Sequence, residues 1–153
     1  MPRFSWIVLL LVFSSITWSA DQAQMLLAAV SQGREQSVQD LLVQGVDANT
    51  RNTAGRPVLV VAAFKGNLRT VRTLIGAGAD PNATDSAGNT ALMEASAFGH
   101  QDVVATLIVS GADLNLKNKA GLSAIKRATV GDQQLVVELL QDAGATDEGG
   151  DEE

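Results

Sequence analysis

The chain has no cysteine, no tyrosine, one histidine and three prolines in 153 residues. Without cysteine there is no disulfide, no thiolate nucleophile and no cysteine metal site. A single histidine, His100, leaves no triad to assemble. Asp102 follows two residues later, a spacing that does not place two groups together on a helix face. Glu94 is a lone carboxylate, whereas general acid–base work needs a positioned partner. Basic charge is scarce too. Eleven Lys and Arg stand against 17 Asp and Glu, for a net charge of -6, which argues against nucleic acid as a partner. The composition points away from an enzyme, and it implies neither a cofactor nor a metal.

Aromatic residues are few and unevenly placed. Both tryptophans, Trp6 and Trp18, fall in the first twenty residues. There Arg3 precedes an almost wholly apolar run from Phe4 to Phe13, followed by a short stretch of mostly small or hydroxylated residues to Ala20. No charge stands between Arg3 and Asp21. This is the order of regions in a secretory signal peptide. Cleavage after Ser19 sets Thr17 and Ser19 at the two small-residue positions. Cleavage after Ala20 would set bulky Trp18 at one of them, so Ser19 is preferred. The apolar core, roughly ten residues, falls short of the roughly 20 that a membrane span needs. The expectation is a signal peptide over 1–19, a periplasmic or secreted destination and no stable membrane span after cleavage. A small exported domain without cysteine fits a periplasm best.

What the chain does have is glycine at a fixed interval. Gly45, Gly78, Gly111 and Gly144 are 33 residues apart, as are Gly55, Gly88 and Gly121, and Gly33, Gly66 and Gly99. Leu41, Leu74, Leu107 and Leu140 keep the same period, and so do Asn49, Asn82 and Asn115. A period of this length marks stacked repeats. Such proteins act by presenting a surface rather than by enclosing a reaction.

The repeat domain, 20–146, divides into units of about 20–51, 52–84, 85–117 and 118–146. Each reads as two short helices and a loop. In unit three, Asp85-Ser86-Ala87-Gly88-Asn89 is a turn. Thr90 caps a first helix that runs to about Phe98. Gly99 breaks it, and a second helix spans about His100 to Ser110. Gly111 ends that helix. Ala29, Ala62, Ala95 and Ala128 form a small-residue column in the first helices. Leu26, Leu59, Leu92 and Ile125 form an apolar column beside it. Val38, Val71, Val104 and Val137 do the same in the second helices. One unit alone cannot bury such a face. The end units are more polar, as terminal caps must be. Residues 147–153 hold five acids and two glycines, the composition of a disordered acidic tail.

The motifs resemble the ankyrin repeat. Gly88-Asn89-Thr90-Ala91-Leu92-Met93-Glu94-Ala95 is followed by Gly99-His100 and closed by Gly111-Ala112-Asp113-Leu114-Asn115. Unit two gives Gly55-Arg56-Pro57-Val58-Leu59, Gly66-Asn67 and Gly78-Ala79-Asp80-Pro81-Asn82. No unit keeps the whole Thr-Pro-Leu-His stretch of the family. The resemblance implies an all-α solenoid of four repeats and non-enzymatic binding of another protein. The chain resembles the small exported ankyrin proteins of bacteria, which implies that the partner is another exported protein to be protected, assisted or neutralised.

The resemblance also implies where a partner docks: at the loop tips and on the concave face of the first helices. Those positions include Arg51, Arg56, Asn89, Lys117 and Lys119 in the loops, and Phe64, Lys65, Phe98 and Lys126 in the helices. Seven basic residues fall in these segments: Arg51, Arg56, Lys65, Lys117, Lys119, Lys126 and Arg127. The expectation is therefore a locally basic face on an acidic, monomeric protein. It would take an acidic partner with Phe64 and Phe98 as apolar anchors. An anionic glycan or other small ligand on the same face is the alternative. His100 is expected to link neighbouring elements structurally. Asn82-Ala83-Thr84 matches a glycosylation sequon, but its Asn belongs to a repeat column that already explains it.

Overall fold

A computed structural model describes residues 20–146. The expected signal peptide and acidic tail lie outside the described residues. Eight helices are described: α1 (20–32), α2 (Glu35–Val43), α3 (Val58–Phe64), α4 (Leu68–Gly76), α5 (Ala91–Ala97), α6 (Gln101–Val109), α7 (Ala124–Val130) and α8 (Gln134–Asp142). They recur at the 33-residue period, and within units α3 packs on α4, α5 on α6 and α7 on α8. First helices pack on first helices, α3 on α5 and α5 on α7. Second helices α2, α4, α6 and α8 pack in a parallel row. The protein is an all-α repeat solenoid. None of the described helices is long and apolar enough to cross a membrane.

Capping explains why the helices are so short. The side chains of Thr90 and Ser123 accept from the amides of Met93 and Lys126 at the starts of α5 and α7. Asn67 does the same for Thr70 at the start of α4. Pro57 stands before α3 and supplies no side-chain cap. Each second helix ends in a reversed turn. Gly111, at φ +86°, donates to the Ile108 carbonyl, and Ala112 donates to that of Leu107. This left-handed closure favours glycine, and Gly45, Gly78 and Gly144 repeat it.

The core is the set of columns in the sequence. Ala62, Ala95 and Ala128 are fully buried, as are Val38, Val71 and Val104. Another first-helix column shows where the stack ends: Val60 and Met93 are buried, whereas Lys126, one unit on, is exposed. No fifth unit covers Lys126 among the described residues. Val137 is likewise only half-buried at that end.

The units are also tied through their backbones. Asn49, Asn82 and Asn115 accept, through Oδ1, from the amides of Asp80, Asp113 and Thr146 at 2.8, 2.8 and 3.0 Å. Each rung reaches 31 residues ahead. This explains the asparagine column as a ladder between units, Asn82 included.

Unit four breaks the mid-unit glycine column. Asp132 takes the left-handed backbone, at φ +56°, that Gly33, Gly66 and Gly99 adopt elsewhere. Gly131 has an ordinary backbone, but a side chain there would collide with the carbonyl oxygen of Ala97. Gly131 is thus required by close approach, not by its dihedral angles.

Candidate functional site

The loops preceding the first helices are built around one polar side chain each. Asn52 Oδ1 accepts from the amides of Ala54 and Arg56. Asp85 Oδ1 accepts from Ala87 and Asn89. Asn118 Oδ1 accepts from Ala120 and Leu122. The loops are then linked sideways. Arg56 Nη2 lies 3.4 Å from Asp85 Oδ2, which also receives Asn89 Nδ2 at 3.4 Å. Asn89 Oδ1 in turn accepts from Asn118 Nδ2 at 2.8 Å. The Lys119 amide donates to the Ala87 carbonyl.

Asp85 sits at the centre of this chain. Burial raises its pKa, but hydrogen bonds from Asn89 and Ala87 and the charge of Arg56 outweigh that effect. The carboxyl is held below its ordinary value of 3.8. It is therefore ionised at neutral pH, and its charge is spent inside the loops.

The arginines are spent in the same way. Arg51 Nη1 donates to the carbonyls of Gly55 and Thr84 at 2.8 and 2.7 Å, clamping two loops together. Arg56 pairs with Asp85, and its guanidinium lies 5.7 Å from the centre of the Phe64 ring. Arg127 Nη2 donates to Glu94 Oε1 at 3.0 Å. The Glu94 carboxylate is buried beneath it. The expectation of a broadly basic face therefore changes: two acids share these segments and neutralise two of the seven cations. Lys126 stands at the end of the stack. Lys65, Lys117 and Lys119 are exposed, and no ion pair joins them to a described residue.

Asn89 is buried, with its amide group used on Asp85 and Asn118. It shapes the loops.

The aromatic residues behave differently. Phe64 ends α3 and Phe98 follows α5. Their ring centres are 4.8 Å apart in an edge-to-face pair. Phe64 is 39% exposed and Phe98 51%, so the pair packs between units and still presents apolar surface to solvent. Half-buried Ala97 and exposed Val130 hold the position of Phe64 in units three and four. Beneath it, His100 Nε2 donates to the Phe64 carbonyl at 3.0 Å, and its ring stacks 6.3 Å from Phe98. His100 is thus a structural link that sets the position of both rings, as the sequence suggests.

An open crevice of about 330 Å³ lies behind this link, lined by His100, Gln101, Asp102 and the turn glycines Gly66 and Gly99. Among the described residues no group of histidine and acidic side chains is placed to hold a metal ion.

The Glu94–Arg127 pair and the Arg56–Asp85–Asn89–Asn118 chain are the features that residue-by-residue reading misses. The 33-residue spacing of Glu94 and Arg127, and of Asn52, Asp85 and Asn118, was the signal available.

This is a helical repeat solenoid whose distinguishing feature is an open face of loops and first helices. The chain belongs to the ankyrin-repeat family: the model "Ankyrin repeats (3 copies)" matches residues 26–118 and, one unit on, residues 59–149. No curated protein matches the chain. Ankyrin repeats are generally protein–protein interaction modules and typically not enzymes.

Proposed function

We propose that this chain binds another protein, without catalysis, through the strip formed by Phe64, Phe98, Ala97 and Val130 and the loop edge beside it. The exposed edge-to-face pair of Phe64 and Phe98 carries the reading. Aromatic side chains held rigidly at a surface are the usual centres of binding energy. Exposed apolar side chains in contact across two units form a patch, not scattered singles. Lys65, Lys117 and Lys119 form a charged rim that favours an acidic surface on the partner.

The chain acts in an exported compartment, most simply a bacterial periplasm, as a monomer. The support is the charge and apolar pattern of residues 1–19. The partner is then another exported protein that is protected, assisted or inhibited by being held. The glycan alternative is weaker, because Arg51, Arg56 and Arg127, the residues best suited to bidentate anion binding, are already engaged.

The test is capture from the host's exported-protein fraction, with residues 20–153 as bait beside Phe98→Glu. A stoichiometric protein held by the first and lost by the second supports the reading. A protein held equally by both contradicts it.

A further inference from the structure

The outer face of the second helices changes character along the stack. In α6 the buried residues are Val103, Val104 and Leu107. The opposite side carries Asp102, Ala105, Thr106 and Val109, spaced as one helix face. One unit on, the same positions of α8 hold Leu135, Glu138, Leu139 and Asp142. Val109 is 88% exposed and Leu135 61%. Asp102, Glu138 and Asp142 are exposed as well. Because α6 and α8 pack side by side, these positions form one two-helix face. Leu135, at the start of α8, and Val109, at the end of α6, lie on its diagonal, with half-buried Leu139 and Ala105 between them. Asp102 and Asp142 hold the other two corners. The charge here has one sign. No Lys or Arg occurs between Arg72 and Lys117, or after Arg127. Among the described residues no cation pairs with Asp102, Glu138 or Asp142. Unit two is the reverse: its outer positions hold exposed Arg69 and Arg72, and Arg69 reaches Glu35 at 3.2 Å. The outer face of a solvated helix is polar, with both signs of charge interspersed. Units three and four depart from this in both respects.

We propose that the outer face of α6 and α8 is a second docking surface, and that it takes a short basic amphipathic helix of another protein. The inference does not rest on the aromatic pair, which lies on the first helices. Size selects the kind of partner. Each of the two helices has nine residues and is roughly 13 Å long, and packed helices stand about 8–10 Å apart. Such a face accepts one helix of about three turns and is too small for the interface of a globular domain. Charge selects the composition. The apolar side of the incoming helix covers Leu135, Leu139 and Val109, the mode in which an amphipathic helix enters a groove. Its Lys or Arg side chains meet Asp102, Glu138 and Asp142 at the rim. Arg69 and Arg72 repel the same helix from unit two and so confine it to units three and four.

The experiment titrates isotope-labelled protein with two synthetic peptides of about four helical turns. One sets leucine and lysine at helical spacing, and the other has the same composition with the spacing scrambled. At low salt the first should shift backbone amide signals in α6 and α8, and the second should not. Leu135→Ser removes an exposed apolar side chain and should weaken binding of the first peptide about tenfold. The double change Asp102→Asn with Glu138→Gln should weaken it at low salt and flatten its salt dependence. Phe98→Ala should leave the peptide's affinity unchanged, which separates this surface from the one proposed above. Equal shifts with both peptides, shifts confined to the acidic residues 147–153, or an unchanged affinity in Leu135→Ser would overturn the proposal. The peptide is itself the probe, so failure to capture a partner on the aromatic strip leaves the result intact.

Discussion

Glu94 and Arg127 stand one repeat apart at the same position of successive first helices, and their side chains meet at 3.0 Å. The carboxylate is 4% exposed and the guanidinium side chain 22%. The column reads Ala28, Val61, Glu94, Arg127, so an apolar position has become an ion pair. Removing one partner strands a buried charge. Arg127→Ala is expected to cost about 3 kcal/mol, while the double change Glu94→Val with Arg127→Met stays within about 1 kcal/mol of the parent. Urea unfolding followed by circular dichroism measures both. A single change as mild as the double one would refute the coupling.

Asp85 makes the loop chain sensitive to acid. Its folded pKa is depressed, so the stability that it contributes is fully present above the ordinary value of 3.8 and is lost as pH falls through the lower folded value. Asp85→Asn keeps an acceptor like those of Asn52 and Asn118 and removes the titration. The variant should show a shallower fall in urea midpoint from about pH 5 downward than the parent. Asp85→Ala strands the Ala87 and Asn89 amides and should cost about 2 kcal/mol at neutral pH.

The glycine shift in unit four gives a paired expectation. Gly131→Ala drives a methyl group against the Ala97 carbonyl and should destabilise by about 2 kcal/mol. Asp132→Gly frees a residue held at φ +56° and should be neutral or slightly stabilising. Thermal melts of the two variants check this. The reverse order would mean that the turn, and not the close approach, is what Gly131 serves.

Much of this was legible in the sequence because a 33-residue period writes each structural demand several times. Gly111 and its column announced the helix ends, and Val38, Val71 and Val104 announced the core. The face was harder to read. Lys126 and Met93 share a column, and only the end of the stack turns one outward while the other is buried. Asn89 looked like a loop-tip residue because position alone does not reveal that Asp85 and Asn118 consume its amide. The basic character of the face was overestimated for the same reason. Counting charges finds Arg56 and Arg127 but not the acids that neutralise them, which become visible only when Asp85 and Glu94 are placed one unit away. The resemblance placed Phe64 and Phe98 on this face, whereas residue type alone did not decide it, since an aromatic beside a turn glycine packs inward as readily as out; both rings are exposed.

Export makes a prediction of its own. Trp6 and Trp18 lie in the segment expected to be removed, and the remainder has neither tryptophan nor tyrosine. Protein recovered from the exported fraction should have an intact mass beginning at Ala20 or Asp21 and almost no absorbance at 280 nm. A mass that includes residues 1–19 would contradict cleavage.

The central claim is that a rigid aromatic pair, not a basic surface, anchors the partner. The measurement that tests it most directly is the affinity of the captured partner for the parent, for Phe98→Ala and for the Lys117→Glu, Lys119→Glu double variant, by calorimetry at low and high salt. The account predicts that Phe98→Ala weakens binding by about 30-fold, as loss of a hot spot does, and that this loss survives in salt. The lysine reversal should cost less, and salt should erase its effect. A Phe98→Ala chain that binds as tightly as the parent, with affinity lost instead on lysine reversal, would contradict the account.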